Sequence, residues 1–152
     1  MRVAFGIKKI RVLPNLGIAY LSYNLKKAGH EVKLFEIGKN FDRTIGKIRK
    51  FGPEVIAYSV YTGEERYYID FNRQLRQIHN AISVFGGPHP TFIPEVIEES
   101  EYIDGICRGE GELAFVEFLD RLSQEGRIPA DTGNFWIREG NRIFKNDITP
   151  LC

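Results

Sequence analysis

An alternation runs through this sequence and constrains its fold more than any other feature. Five short apolar runs are separated by segments of helical length that carry an apolar stripe. "RVAFGI" (2–7), "EVKLFEI" (31–37), "EVIAYSV" (54–60), "AISVFGG" (81–87) and "YIDGICRG" (102–109) read as strands. Between them Ile18, Leu21, Leu25 and Ala28 recur at helical spacing, as do Phe41, Ile45 and Ile48, then Tyr68, Phe71, Leu75 and Ile78. Pro14 and Asn15 predict the cap of the first helix, which Gly29 closes. Gly52-Pro53 stops the second, and Thr62 with Glu65 fits a capping box for the third. A short helix is expected near 94–100, and "ELAFVEFLDRLSQEG" predicts a fifth helix ended by Gly126.

Strand 54–60 is apolar on both faces, as a strand buried in a parallel sheet must be. Five repeats of strand then helix predict an α/β fold, a doubly wound five-stranded parallel sheet. The expected order is 2-1-3-4-5, as in flavodoxin-like and Rossmann-like domains. The remainder, "GNFWIREGNRIFKND", alternates and turns at Glu139-Gly140-Asn141, which predicts a small C-terminal β-hairpin. Residues 1–130 are expected to form the α/β domain, and 131–152 the hairpin and the start of a linker.

With 152 residues, 43% hydrophobic, the chain suffices for one real core. Its 21 basic and 20 acidic side chains nearly cancel, which gives no electrostatic case for nucleic acid or a membrane surface. No run approaches the ~18 apolar residues of a membrane helix. Two cysteines, Cys107 and Cys152, form neither a disulfide framework nor a Cys-x-x-Cys site, so a reducing cytoplasm is the expected location.

In open α/β sheets ligands bind at the carboxyl ends of the strands. The loops there are "KKIRVLPNLG", "SVYTGEE", "GGPHPTF" and "RGEGE". Gly86 and Gly87 admit another body close to the backbone, or serve a tight turn. Pro88 and Pro90 stiffen the loop beyond them into a wall. Ser59 ends an apolar strand, and its hydroxyl can bond a ligand or the local backbone. Glu110 and Glu112 suit a helix N-terminus, while Gly109 and Gly111 again bare the backbone. Cys107 fits a small core residue, and His89 has no second metal ligand near it in sequence. No Ser-His-Asp set and no phosphate loop is present. A receiver domain needs acids where Lys8-Lys9 and Ser59-Val60 stand, and "KKIRVLPNLG" is not a flavodoxin's phosphate loop.

Taken in order, "LGIAYLSYNLKKAGHEV", "PEVIAYSV", "FGGPHPTFIPE", "DGICRGEGE" and "FWIREGNRIFKNDITPL" resemble the N-terminal cobalamin-binding domain of cobalamin-dependent radical SAM enzymes. The nearest group is the anaerobic magnesium-protoporphyrin monomethyl ester cyclases and related methyltransferases. The wider fold carries Asp-x-His-x-x-Gly, then Ser-x-Leu, then Gly-Gly. Gly17 matches the first glycine, Ser59-Val60-Tyr61 the second motif with Tyr61 for Leu, and Gly86-Gly87 the third. Residues 18 to 58 leave 41 between Gly17 and Ser59, a spacing typical of that fold. Val12 and Pro14 stand in the places of the Asp and His, so the usual lower ligand of cobalt is missing.

The resemblance implies a cobalamin whose nucleotide tail passes between the strand-three edge and the Gly-Gly turn. Ser59 would bond its base, and Leu16 and Tyr61 would lie beneath the corrin. Val60 and Thr62 would adjoin them, with Pro88, His89 and Pro90 flanking the ring. Gly17, Gly86, Gly87, Gly109, Glu110 and Gly111 complete the implied set. The cofactor is expected base-off and histidine-off, since Pro14 cannot ligate. Family members continue into a radical SAM barrel with a 4Fe-4S cluster and S-adenosylmethionine. Its Cys-x-x-x-Cys-x-x-Cys motif is absent here, so the chain reads as a fragment that binds a cofactor and alone catalyses nothing. The alternatives are a nucleotide-sugar-binding half of a glycosyltransferase and a non-catalytic Rossmann-like interaction domain.

Overall fold

The computed structural model describes residues 1–8 and 15–150. Val12, Pro14 and Cys152 lie outside the described residues. The elements run β1 (Arg2–Lys8), α1 (Leu16–Lys27), β2 (Glu31–Ile37), α2 (Phe41–Phe51), β3 (Val55–Ser59), α3 (Glu65–Arg76) and β4 (Ile82–Gly86). After these come α4 (Pro88–Phe92), a 3-10 turn (Pro94–Glu99), β5 (Gly105–Cys107), α5 (Glu112–Glu125), β6 (Phe135–Glu139) and β7 (Arg142–Lys145).

The strands form one sheet in the order β2-β1-β3-β4-β5-β6-β7. The first five are parallel, in the expected order 2-1-3-4-5. The hairpin does not stand apart: β6 pairs antiparallel with β5 and extends the sheet, and β7 pairs with β6.

Alternation along each strand sorts the core into two faces. Ile56, Tyr58 and Phe85 point to the face covered by α2, α3 and the 3-10 turn, where Ile45, Ile48, Phe71, Leu75 and Ile97 meet them. Val55, Ala57 and Val84 point to the face covered by α1 and α5, with Ile18, Leu25, Phe115, Phe118 and Leu122. Helix ends obey local chemistry. The Asn15 Oδ1 accepts from the Ile18 amide at 3.2 Å and caps α1, while Gly52 and Gly126 end α2 and α5 at a φ of 67°.

Four local expectations need correction. The capping box fails: Glu64 occupies the N-cap of α3 without a side-chain bond, and Thr62 Oγ1 instead meets His89 Nδ1 at 3.1 Å. Ile78 lies past the end of α3 and is exposed, because the helix stops once Leu75 has reached the core. The stiff loop after Gly87 is helix α4, in which Pro88 sits where an amide would have no partner anyway. The strand expected over 102–109 is only three residues long in β5, while the short helix expected near 94–100 forms as the 3-10 helix Pro94–Glu99.

Candidate functional site

β3, β4 and β5 end in register at the carboxyl edge. Ser59 pairs with Gly86, and Phe85 with Ile106, which brings Cys107 beside Gly86. These three, with Ala57 one step below Ser59, face α1 and α5. All are small. Opposite them α1 offers Gly17 and the loop before α5 offers Gly111. The missing side chains leave a cavity of about 160 Å³ between the sheet edge and the two helices. Phe5, Ile18, Leu21 and Phe115 form its apolar floor and walls, and Gly109, Glu110 and Glu112 its outer lip.

The two adjacent glycines serve different ends. A β-carbon on Gly86 would meet nothing closer than 3.9 Å, so a larger side chain there would extend into the cavity. Gly87 has φ +93°, and its β-carbon would lie 2.9 Å from the Val60 amide nitrogen. Gly87 is therefore required by the backbone, whereas Gly86 is required only by the empty space.

Ser59 is the polar group of the inner wall. Asn15 Nδ2 donates to its Oγ at 3.3 Å. The direction is fixed, because Asn15 Oδ1 is already taken by the Ile18 amide. Among the described residues no acceptor takes the Ser59 proton, so the hydroxyl is available as a donor. Burial first, then the nearby Glu112 carboxylate, push the Cys107 thiol up to about 12, so it stays protonated as part of the wall. The hydrogen bond and charge of Glu112 raise Glu110 above the usual carboxylate range. Among the described residues no group of three His, Cys, Asp or Glu could hold a metal ion. The arrangement is suited to holding a body with an apolar surface and a hydrogen-bond acceptor.

Of the residues singled out from sequence, Gly17, Ser59, Gly86, Gly87, Gly109, Glu110 and Gly111 line the cavity. Leu16 and Tyr61 lie outside it with side chains open to solvent, 65% and 51% exposed. Val60 turns into the opposite core, and its backbone bonds Gly86 and the His89 amide. Thr62, Pro88 and Pro90 do not line it. His89 is buried at the same edge with Nδ1 on Thr62, Glu65 Oε2 4.0 Å away, and Nε2 without a partner among the described residues. His30 contacts the N-terminal amine and Asp120 at the far end of the sheet, and His79 contacts the Pro53 carbonyl there. Sequence reasoning missed Phe5, Leu21 and Phe115 as walls and Asn15 as the partner of Ser59. The first three read as ordinary core. The Asn15 contact spans 44 residues and left no local signal.

Known proteins resemble this chain in sequence and in fold. An uncharacterised methyltransferase of Pyrococcus horikoshii is 36% identical over 144 residues, covering 91% of this chain and 31% of the relative. The anaerobic magnesium-protoporphyrin IX monomethyl ester cyclase of Cereibacter sphaeroides is 33% identical over 116 residues, 70% of this chain and 18% of that protein. The chain thus spans less than a third of the length of these relatives. In shape it is similar to OxsB, a cobalamin-dependent S-adenosylmethionine radical enzyme solved with aqua-cobalamin and S-adenosylmethionine. That likeness has a TM-score of 0.78 at 19% identity and covers 97% of this chain and 22% of OxsB. The nucleotide-sugar alternative gains no support from these relatives. No helix among the described residues is long and apolar enough to cross a membrane. The B12 binding domain family matches residues 10–119, which hold all of the cavity lining except Phe5, and the chain belongs to that family.

Proposed function

We propose that this chain is the cobalamin-binding module of a cobalamin-dependent radical SAM enzyme of methyltransferase or oxidative-cyclase type, and that the cavity holds the cofactor's nucleotide tail. The observation that carries the reading is the row of small residues at the carboxyl edge, Ala57, Ser59, Gly86 and Cys107, facing Gly17 and Gly111. An apolar slot with one inward donor fits an aromatic base that bears an acceptor nitrogen. Ser59 would donate to that nitrogen, and the glycine lip at 109–111 would lie along the tail. Leu16, Tyr61 and Thr62 would adjoin the corrin above, beside α4. When bound, cobalt supplies methyl-carrying or radical chemistry, while the protein holds and orients it.

The cofactor is proposed to sit base-off and histidine-off. His30 and His79 lie at the opposite end of the sheet, and His89 is turned onto Thr62. The partner would be a radical SAM barrel of the same polypeptide with a 4Fe-4S cluster and S-adenosylmethionine, joined to the 1–130 domain through 131–152.

The test is reconstitution with hydroxocobalamin, then desalting and an absorption spectrum. Corrin bands that stay with the protein are expected, and their complete loss would overturn the reading. Electron paramagnetic resonance of the Co(II) form should lack nitrogen splitting from an axial imidazole or benzimidazole. Such splitting would contradict the base-off, histidine-off assignment.

A further inference from the structure

Asn134 is the only non-glycine among the described residues with positive φ, at 69°. It is 4% exposed. Asparagine tolerates this left-handed conformation better than most residues, and such outliers persist where the surroundings hold them. Here every hydrogen-bonding group of the residue is engaged. Its carbonyl accepts from the Arg108 amide at 2.9 Å, and its amide donates to the Asp147 carbonyl at 2.9 Å. Its Nδ2 donates to the Glu110 carbonyl at 3.0 Å, and its Oδ1 accepts from the Thr149 amide at 2.7 Å. Two of these bonds hold the Arg108–Gly111 loop, whose Gly109, Glu110 and Gly111 form the cavity lip. The other two hold the segment after β7. The two segments also pass closely, since a β-carbon on Gly109 would lie 3.5 Å from Ile148 Cγ2.

We propose that Asn134 is a positioning residue that couples the cavity lip to the segment Asp147–Thr149. The proposal rests on the cobalamin reading above. A cofactor tail lying along Gly109–Gly111 fixes the Glu110 carbonyl, which fixes the Asn134 amide and so the Thr149 bond. Linkage makes the effect reciprocal: loosening the segment must weaken cofactor binding by the same factor by which the cofactor tightens the segment.

Three proteins test this: the unsubstituted chain, Asn134→Gly and Thr149→Pro. Glycine keeps the positive φ and removes only the two side-chain bonds. Proline at the exposed position 149 removes one donor and touches nothing in the cavity. The readouts are cobalamin affinity by spectral titration and amide hydrogen exchange at Gly109 and Thr149, with and without hydroxocobalamin. Affinity should fall roughly tenfold in Asn134→Gly and roughly threefold in Thr149→Pro. Hydroxocobalamin should slow exchange at Thr149 in the unsubstituted chain and leave it unchanged in Asn134→Gly. If Thr149→Pro binds as tightly as the unsubstituted chain, and exchange at Thr149 in the unsubstituted chain is indifferent to the cofactor, the coupling is overturned. Failure of the unsubstituted chain to bind would overturn the cobalamin reading instead. The link between the segments would then be decided by exchange alone, and equal rates at Gly109 in the unsubstituted chain and Asn134→Gly would overturn it.

Discussion

The same strands build two unlike faces. Toward α2 and α3, β3 and β4 present Tyr58 and Phe85, ring centroids 5.0 Å apart, with Tyr68 and Phe71 packed against Tyr58. Even the neighbouring strand gives way: a β-carbon on Gly6 would lie 2.8 Å from the Tyr58 ring. Tyr58 Oη and Ser83 Oγ on this face are both paired, each donating to Asn72 Oδ1. Toward α1 and α5, the alternate residues of the same strands are Ala57, Ser59 and Gly86, and space is left. One face is filled to make the fold; the other is left open at its carboxyl end, where we propose the ligand enters. A glycine means opposite things on the two faces, since Gly6 is filled by a neighbour and Gly86 is not.

Substitutions should separate the two faces, beginning with the largest effect. Phe71→Ala on the filled face should cost about 3–5 kcal/mol of unfolding free energy by denaturant titration. Its folded fraction should keep the affinity of the unsubstituted protein for cobalamin, and a cost below about 1 kcal/mol would show that this face is not close-packed. On the emptied face, Gly86→Leu should leave unfolding within about 1 kcal/mol of the parent. It should nonetheless release cobalamin on desalting, because the side chain occupies the tail's space. Gly87→Ala should behave as a backbone lesion, losing about 1–3 kcal/mol of stability whether or not cofactor is present. Equal behaviour of the two glycine variants would erase the distinction drawn between them.

A smaller effect is expected at the polar group of the emptied face. Ser59→Ala should weaken cobalamin binding by about 1 kcal/mol, read as a rise in Kd of about fivefold. An unchanged Kd would remove Ser59 as the donor. The Cys107 thiol, pushed up to about 12 by burial and then Glu112, holds its proton in the folded state where the unfolded chain has lost it. Its contribution is therefore full below the ordinary value of 9.0 and is lost as pH rises from there toward about 12. Tyr68, raised to about 12 mainly by burial, adds a loss that starts nearer pH 10. Unfolding free energy measured from pH 8.5 upward should decline, and Cys107→Val should flatten the early part of that decline.

Much of this was legible in the sequence, because burial imposes periodicity. Residues such as Ile56 and Phe71 must recur at strand and helix spacing if both faces are to be covered, and the strand order came with them. Ser59 and Gly86 were legible as edge residues because each interrupts an apolar run. Thr62 was misread because a capping box and a hydroxyl bonded to a distant histidine look alike in sequence. The Pro88–Phe92 helix was misread because two prolines restrict a loop and the first turn of a helix equally well. Asn134 carried no signal at all. Its role depends on the segment after β7 returning to the Arg108–Gly111 loop, a contact that only the folded chain creates.

Cobinamide, which has the corrin but no nucleotide, separates tail binding on the emptied face from corrin binding alone when it is compared with cobalamin. Both are titrated against the unsubstituted chain and monitored by their visible absorption. Cobalamin should bind at least about a hundredfold more tightly, since only its tail can fill the cavity and reach Ser59. Equal affinity for the two corrinoids would contradict the account.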